Sequence, residues 1–282
     1  MSTLLNLSGK IDPQTVAIFE TVGRILAELR VPYVVVGATA RDLVMHLGHG
    51  AKLRSVTKDV DFAIEVPSWS AFNAVKDRLC EEGFSITNIQ HRLLSPEKME
   101  VDIVPFGQLE DGVASIAWPP KGDVVMSVLG FQEACNNAEW VRIQESPELD
   151  IPVVTPSGMV LLKLIAWTDR TRELRMKDAQ DIAYLFESYE EIPEVRDALF
   201  NAVQMMEKYE WNQTLGSTHL LGEHASRIAS KDTRAMISRL VGGGLGERNL
   251  KRLIDEMCIQ RTGEQYERNS RRLSAFMAGF GI

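Results

Sequence analysis

The chain of 282 residues is long enough for one large domain or two smaller ones, each with its own hydrophobic core. Its formal net charge of −8 at pH 7 excludes a protein that coats nucleic acid non-specifically, because that mode needs a basic surface, although a local basic patch remains compatible with RNA binding. Three widely spaced cysteines fit neither a disulfide framework nor a zinc site. No apolar run approaches the roughly 20 residues that cross a bilayer, so we expect a cytoplasmic protein without membrane contact.

A strand followed at once by a glycine is the first notable feature. Asp12-Pro13 predicts the start of an amphipathic helix, and the β-branched run 33–36 predicts a buried strand. Helical spacing resumes over residues 39–47, so Gly37 and Ala38 form a tight turn whose backbone N–H groups suit an anion. On its own, a glycine in this position is more often only a turn residue.

Two carboxylates stand one residue apart in the stretch 58–64, whose β-branched and aromatic residues predict a strand. Side chains two residues apart leave the same face of a strand, so Asp59 and Asp61 are directed toward one point. They repel each other unless a cation lies between them, and a divalent metal ion is the usual cation. An isolated Asp-x-Asp pattern is more often a solvated strand end, so the metal hypothesis needs support from elsewhere in the chain.

That support comes from a second acidic strand, predicted over residues 99–106, in which Glu100 and Asp102 share a face. If this strand pairs beside the first, Asp102 joins Asp59 and Asp61. Three converging carboxylates destabilise a fold unless metal ions relieve their repulsion. The two strands together therefore indicate a metal site.

A later helix, predicted to start at Thr155-Pro156 and to bury one apolar face, carries Lys163. On its own, a lysine in such a helix is more often a side chain that reaches solvent along the apolar surface than a functional cation. The segment 177–185 follows with the pattern Lys-Asp-x-x-Asp. From residue 193 onward the chain looks wholly helical, with segments near 193–208, 217–229, 231–241, 247–260 and 264–279.

Together these features resemble the nucleotidyltransferase superfamily, with its polymerase-beta-like fold, and within it the AbiEii-type nucleotidyltransferase toxin family. The segments that carry the resemblance are 100–107, 118–120, 129–134 and 161–185, besides the glycine turn and the Asp-x-Asp strand. The resemblance implies an α+β fold, a mixed β-sheet flanked by helices and followed by a helical C-terminal region. We expect an α/β nucleotidyltransferase domain over residues 1–154 and a helical domain over residues 155–282.

The resemblance also implies roles for individual residues. Catalysis and the binding of two Mg²⁺ ions, or Mn²⁺ in their place, are expected of Asp59, Asp61 and Asp102. Nucleotide binding is expected of Gly37, Ala38, Arg41, Lys58, Lys163 and Asp178, with Arg170 and Asp181 as further candidates. Many family members carry Gly-Ser or Gly-Gly where this chain has Gly37-Ala38, so a phosphate-binding hydroxyl is missing. The connection from Gly37 to Asp59 is also longer than in compact members.

The expected reaction transfers a nucleoside monophosphate from a nucleoside triphosphate (NTP) to an acceptor hydroxyl. Within the family, RNA-modifying toxins paired with an antitoxin are known, so tRNA or another RNA and an antitoxin protein are the expected partners. Two alternatives remain open: an aminoglycoside-type enzyme that acts on a small alcohol, and a nucleotide-binding or partner-binding protein without turnover. A mildly basic side of the last helices, made by Arg261, Arg268, Arg271 and Arg272, is either an RNA contact or a solvated face.

Overall fold

A computed structural model describes residues 4–54, 59–112, 114–260 and 262–282. The chain clusters into two units, of which the first comprises Met1–Gly48 and Ser55–Thr155 and the second His49–Arg54 and Pro156–Ile282. The predicted division into two domains after residue 154 stays a prediction.

The first unit is built on a mixed eight-stranded sheet with the strand order β1-β9-β10-β2-β3-β6-β5-β4, and β7 and β8 form a separate hairpin. The strands are β1 Leu5–Asn6, β2 Tyr33–Val36, β3 Asp59–Glu65, β4 Ser85–Ile86, β5 Arg92–Leu94, β6 Glu100–Phe106, β7 Ser115–Ala117, β8 Val125–Ser127, β9 Glu139–Glu145 and β10 Glu148–Val153. This architecture confirms the predicted α+β fold with a mixed sheet.

The centre of the sheet explains why the acidic strands are neighbours. β2 pairs antiparallel with β3, and β3 pairs parallel with β6 over its whole length. Residues 62–64 of β3 are fully buried, because both faces of this central strand are covered. The predicted pairing of the Asp59 strand with the Asp102 strand is thus confirmed.

Helices cover the sheet of the first unit: α1 Pro13–Glu28, α2 Gly37–Arg41, α3 Trp69–Glu81 and α4 Phe131–Asn136. The predicted helix start at Asp12 is confirmed, since its side chain accepts backbone N–H groups of the first turn of α1, and Ser68 caps α3 in the same way. The helix expected over residues 39–47 begins earlier, at Gly37, and continues from Asp42 to Gly48 with π-helical geometry. Helical spacing of apolar residues does not distinguish α from π turns, which is why the change was not predicted.

The second unit is helical: α5 Pro156–Asp169, α6 Arg172–Ser188, α7 Pro193–Asn201, α8 Val203–Lys208, α9 Gln213–Ile228, α10 Lys231–Val241, α11 Leu250–Met257 and α12 Gly263–Phe280, with a 3₁₀ turn over Tyr189–Glu191. The prediction of a single helix near 193–208 is wrong in one respect. The structure has two helices there, separated at Ala202, whose φ of −97° and ψ of 52° are not helical.

The basic side expected of the last helices is also altered by the structure. Arg272 of α12 is only 8% exposed and pairs with Glu187 of α6, so it does not belong to a solvated face. Arg261 lies outside the described residues. Among the helices that the structure describes, none is both long and apolar enough to cross a membrane.

Candidate active site

Three carboxylates meet on the two central strands of the first unit. In the ladder between β3 and β6, Asp59 lies opposite Glu100 and Asp61 lies opposite Asp102. One carboxylate oxygen from each of Asp59, Asp61 and Asp102 lies within 4.8 Å of the other two. Asp102 is 8% exposed, whereas the first two are half-buried. The acids predicted from the alternation of two separate strands are therefore brought together.

The glycine turn packs directly against these acids. β2 ends at Val36, which pairs with Asp61, and Gly37 follows with a φ of +73°. A Cβ atom added to Gly37 would lie 1.9 Å from Oδ2 of Asp61. Thr39 Oγ1 donates a hydrogen bond to the backbone oxygen of Asp59 at 2.6 Å. The turn therefore needs glycine for its backbone conformation and for the space that Asp61 occupies.

Arg92 belongs to the same cluster, although no motif of the sequence marks it. Its Nε donates to Oδ1 of Asp102 at 2.7 Å and its Nη2 donates to Oδ2 at 2.8 Å, while Nη1 bonds Glu100. His91 Nε2 lies 3.8 Å from Oδ2 of Asp102. The turn at residues 95–98 was the available signal, since an antiparallel hairpin about it places Arg92 opposite Asp102.

Hydrogen bonding to Asp102 raises the pKa of the Arg92 guanidinium above its ordinary value, and the negative charges of Glu100 and Asp59 add to this effect. The guanidinium thus carries a permanent positive charge beside the three carboxylates. It offsets part of their mutual repulsion in this structure.

Lys163 and Asp178 lie in the second unit, in a cluster of ion pairs around two buried carboxylates. Lys163 Nζ is 3.0 Å from Oδ1 of Asp178 and 2.7 Å from Oδ2 of Asp181. Arg170 Nη1 donates to both oxygens of Asp178 at 3.2 Å, and Arg54 bonds Asp181. Asp178 is 1% exposed and Asp181 is 5% exposed. Lys163 is therefore held by two carboxylates and does not simply extend along an apolar surface to solvent.

The model of the family described as nucleotidyl transferase AbiEii toxin, type IV toxin–antitoxin system, matches residues 23–256. The chain belongs to this family. It is accordingly a nucleotidyltransferase, as the resemblance of its motifs implied. No curated protein sequence matches the chain significantly.

Solved structures similar to this AbiEii-family chain include other nucleotidyltransferases. ANT(2'')-Ia in complex with adenylyl-2''-tobramycin is 9% identical and covers 61% of this chain and 87% of its own, with a TM-score of 0.38. A nucleotidyltransferase-like protein from Paracoccidioides brasiliensis is 15% identical over 69% and 89%, with a TM-score of 0.36. The CCA-adding enzyme of Thermotoga maritima, complexed with tRNA, is 13% identical over 97% and 83%, with a TM-score of 0.27. None of these TM-scores reaches 0.5, so the family match carries the identification.

Of the residues expected to bind nucleotide in this AbiEii-family protein, Arg41 is buried, and its role in nucleotide binding stays a prediction. Arg41 is 3% exposed, and its Nε and Nη2 donate to Oδ1 of Asp42 at 2.9 and 2.7 Å. This buried pairing favours a structural role for Arg41. Lys58 lies outside the described residues.

The donor set of the AbiEii-family chain fits a divalent metal ion. Carboxylate oxygens are the ligands that Mg²⁺ and Mn²⁺ prefer, and three of them converge within 4.8 Å. Each oxygen of Asp102 that accepts from Arg92 keeps a further lone pair, so the pairing with Arg92 does not exhaust its capacity as a ligand.

Proposed function

We propose that this nucleotidyltransferase uses Asp59, Asp61 and Asp102 to transfer a nucleoside monophosphate from an NTP to an acceptor hydroxyl, with the end of a tRNA as the acceptor. The observation that carries the proposal is the convergence of these carboxylates within 4.8 Å on paired strands of an AbiEii-family chain. Carboxylates held so close together are costly for the fold, and a cation-dependent reaction explains why they are present.

In the proposed reaction the acceptor oxygen forms a bond to the α-phosphorus, and the bond from that phosphorus to the oxygen that bridges to the β-phosphate breaks. Pyrophosphate leaves, and the proton of the hydroxyl passes to the carboxylate of Asp102. Asp59 and Asp61, with Asp102, would hold two Mg²⁺ or Mn²⁺ ions, which when bound offset negative charge on the attacking and leaving oxygens. Asp102 is proposed for the role of base because its carboxylate lies beside the other two acids and is oriented by Arg92.

The glycine turn is proposed to contact the phosphates of the NTP. Gly37 and Ala38 occupy the first positions of α2, where backbone N–H groups have no acceptor within the helix and attract negative charge. We retain Lys163 and Asp178 as proposed nucleotide contacts on the basis of the family resemblance. In that role the ammonium group of Lys163 would exchange part of its pairing with Asp178 and Asp181 for a phosphate.

The choice of tRNA as acceptor is supported by membership of a toxin family, because a toxin must modify a molecule on which growth depends. An antitoxin protein is the proposed cellular partner for the same reason. The net charge of −8 supports one second candidate, a small cationic acceptor such as an aminoglycoside, since an acidic surface attracts it.

The deciding experiment incubates the protein with each labelled NTP, Mg²⁺ and total tRNA, and repeats the reaction with an aminoglycoside in place of tRNA. Asp61→Ala is compared with the wild type, and Asp77→Ala, which removes an exposed carboxylate of α3, is the matched control. We expect labelled tRNA with the wild type and the control, and none with Asp61→Ala or after chelation of the metal.

Transfer that survives Asp61→Ala would contradict the role of the carboxylates. If only the aminoglycoside becomes labelled, the acceptor is a small cationic molecule and not tRNA. Binding of NTP without transfer to either acceptor would favour a nucleotide-binding protein without turnover.

A further inference from the structure

Arg92 holds Asp102 through a two-pronged contact that the backbone itself enforces. The ladder between β5 and β6 places the two residues directly opposite each other, and both carboxylate oxygens of Asp102 accept from the guanidinium. The third nitrogen of Arg92 bonds Glu100, two residues earlier on the same strand. All three guanidinium nitrogens are engaged, so Arg92 has little freedom to turn away from Asp102.

The same sheet contains a second clamp of identical design at Arg142. Its Nε and Nη2 donate to the two oxygens of Asp150 at 2.8 and 3.0 Å, and its Nη1 donates to Glu148 at 2.6 Å. Arg142 and Asp150 are also directly opposite each other, in the ladder between β9 and β10. In both hairpins the arginine joins an aspartate to a glutamate two residues earlier, so the clamp by itself is a structural device of these hairpins.

What distinguishes the clamp at Arg92 is the carboxylate that it holds. Within the described part of the chain, Asp59, Asp61 and Asp102 form the group of three acids arranged closely enough to share a metal ion, and Asp150 is not part of that group. The guanidinium of Arg92 also interacts electrostatically with Asp59. Arg92 thus makes this structural contact with Asp102, which is a member of the candidate metal site.

Two physical effects follow from this position. The planar fork of the guanidinium matches the plane of a carboxylate, so it restricts the rotation of the Asp102 carboxylate about its Cβ–Cγ bond. Its positive charge also opposes the entry of a cation among the three acids, because charges of like sign repel over a few ångströms.

We propose that Arg92 is a positioning residue, which fixes the orientation of Asp102 for the reaction and lowers the affinity of the three carboxylates for a divalent cation. This inference rests on the proposed function. The planar fork of Arg92 fixes the direction of the Asp102 oxygens, and its positive charge repels the cation. The two effects are separable, because lysine keeps the charge and loses the fork, whereas glutamine loses the charge.

The test measures Mn²⁺ binding to the protein without nucleotide, by electron paramagnetic resonance of the free ion, together with kcat in the transfer assay. Arg92→Gln is expected to bind Mn²⁺ about tenfold more tightly than the wild type. Arg92→Lys is expected to keep the affinity of the wild type. Both variants are expected to lower kcat about tenfold or more, because Asp102 is no longer oriented.

Arg142→Gln is the matched control, since it removes the equivalent clamp from the hairpin of β9 and β10. It is expected to change neither Mn²⁺ affinity nor kcat. Thermal unfolding of all variants reports whether loss of a clamp disturbs the fold, and if Arg92→Gln does not fold, the kcat of Arg92→Lys decides.

Mn²⁺ affinity of Arg92→Gln equal to or weaker than that of the wild type would overturn the effect of the charge. An unchanged kcat in Arg92→Lys would overturn the effect of the fork. Failure of the proposed function looks different: in that case the wild type itself binds no Mn²⁺, or binding persists in Asp59→Ala.

Discussion

Gly37 and Asp61 approach each other so closely that a Cβ atom on the glycine would lie 1.9 Å from Oδ2 and 2.7 Å from Cγ of the carboxylate. The contact joins the turn after β2 to the acidic strand β3, and Val36 pairs with Asp61 in the same ladder. A side chain at position 37 would therefore displace a carboxylate of the candidate metal site.

Gly37→Ala is expected to abolish transfer activity, because the new methyl group pushes Asp61 away from Asp59 and Asp102. It should also lower the free energy of unfolding by about 1–3 kcal/mol, since alanine is strained at a φ of +73°. Gly9→Ala is the control, because Gly9 has a φ of +77° and no atom near its added Cβ. Kinetics and urea unfolding of both variants check the prediction, and equal activity of the two variants would contradict it.

Ala38→Ser is expected to restore the hydroxyl that many family members carry after the turn glycine. A hydroxyl at the start of α2 can donate to a phosphate oxygen, so the KM for the NTP should fall several-fold, with a change of about 1 kcal/mol. Ala71→Ser places the same change in the first turn of α3 and should have no effect on the KM. An unchanged KM in Ala38→Ser would argue against phosphate binding at this turn.

Lys163→Met is expected to lower the free energy of unfolding by about 3 kcal/mol, because it leaves two nearly buried carboxylates, Asp178 and Asp181, with one cation fewer. Arg170→Met should cost less, since 42% of the Arg170 side chain is exposed to water, which screens its charge. Urea unfolding compares the two variants. If Lys163 also contacts the NTP, the KM rises in Lys163→Met more than in Arg170→Met.

The stability of the protein should decrease at high pH because of Tyr33. Burial raises the pKa of this phenol from 10.0 to about 12, so the unfolded chain releases its proton at a lower pH than the folded protein. The stabilisation of the neutral phenol is complete below pH 10 and is lost as the pH rises toward 12. The free energy of unfolding of the wild type, measured relative to that of Tyr33→Phe by urea unfolding, should therefore fall by about 2 kcal/mol between about pH 8 and about pH 11.5. A difference independent of pH would refute this assignment.

The acidic strands were predictable because their information is local. Alternation along β3 and β6 predicts the face of the strand from which each carboxylate projects. The resemblance to the nucleotidyltransferase superfamily favours the pairing of the two strands. The position of Arg92 depends in addition on the register of a hairpin, which requires the length of the turn between β5 and β6 to be known. Once the register of this hairpin is known, Arg92 is the residue of β5 that lies opposite Asp102.

The ion pairs of the second unit were beyond sequence reasoning for a different reason. Lys163 and Asp178 are 15 residues apart, and Arg54 and Asp181 are 127 residues apart, so no local period connects them. The break at Ala202 was missed because neither glycine nor proline marks it. Burial of Arg272 likewise depends on Glu187 of another helix.

The membership of His49–Arg54 in the second unit has a consequence for the synthesis of the protein. These six residues are synthesised more than a hundred residues before the helix that carries Asp181. Arg54 therefore cannot form its ion pair with Asp181 until that helix has been made. The second unit thus includes a segment that is synthesised early and whose final contacts depend on residues made much later. The second unit can therefore be completed only after the second half of the chain has been synthesised. A fragment that begins at residue 156 lacks Arg54 and therefore lacks the ion pair between Arg54 and Asp181.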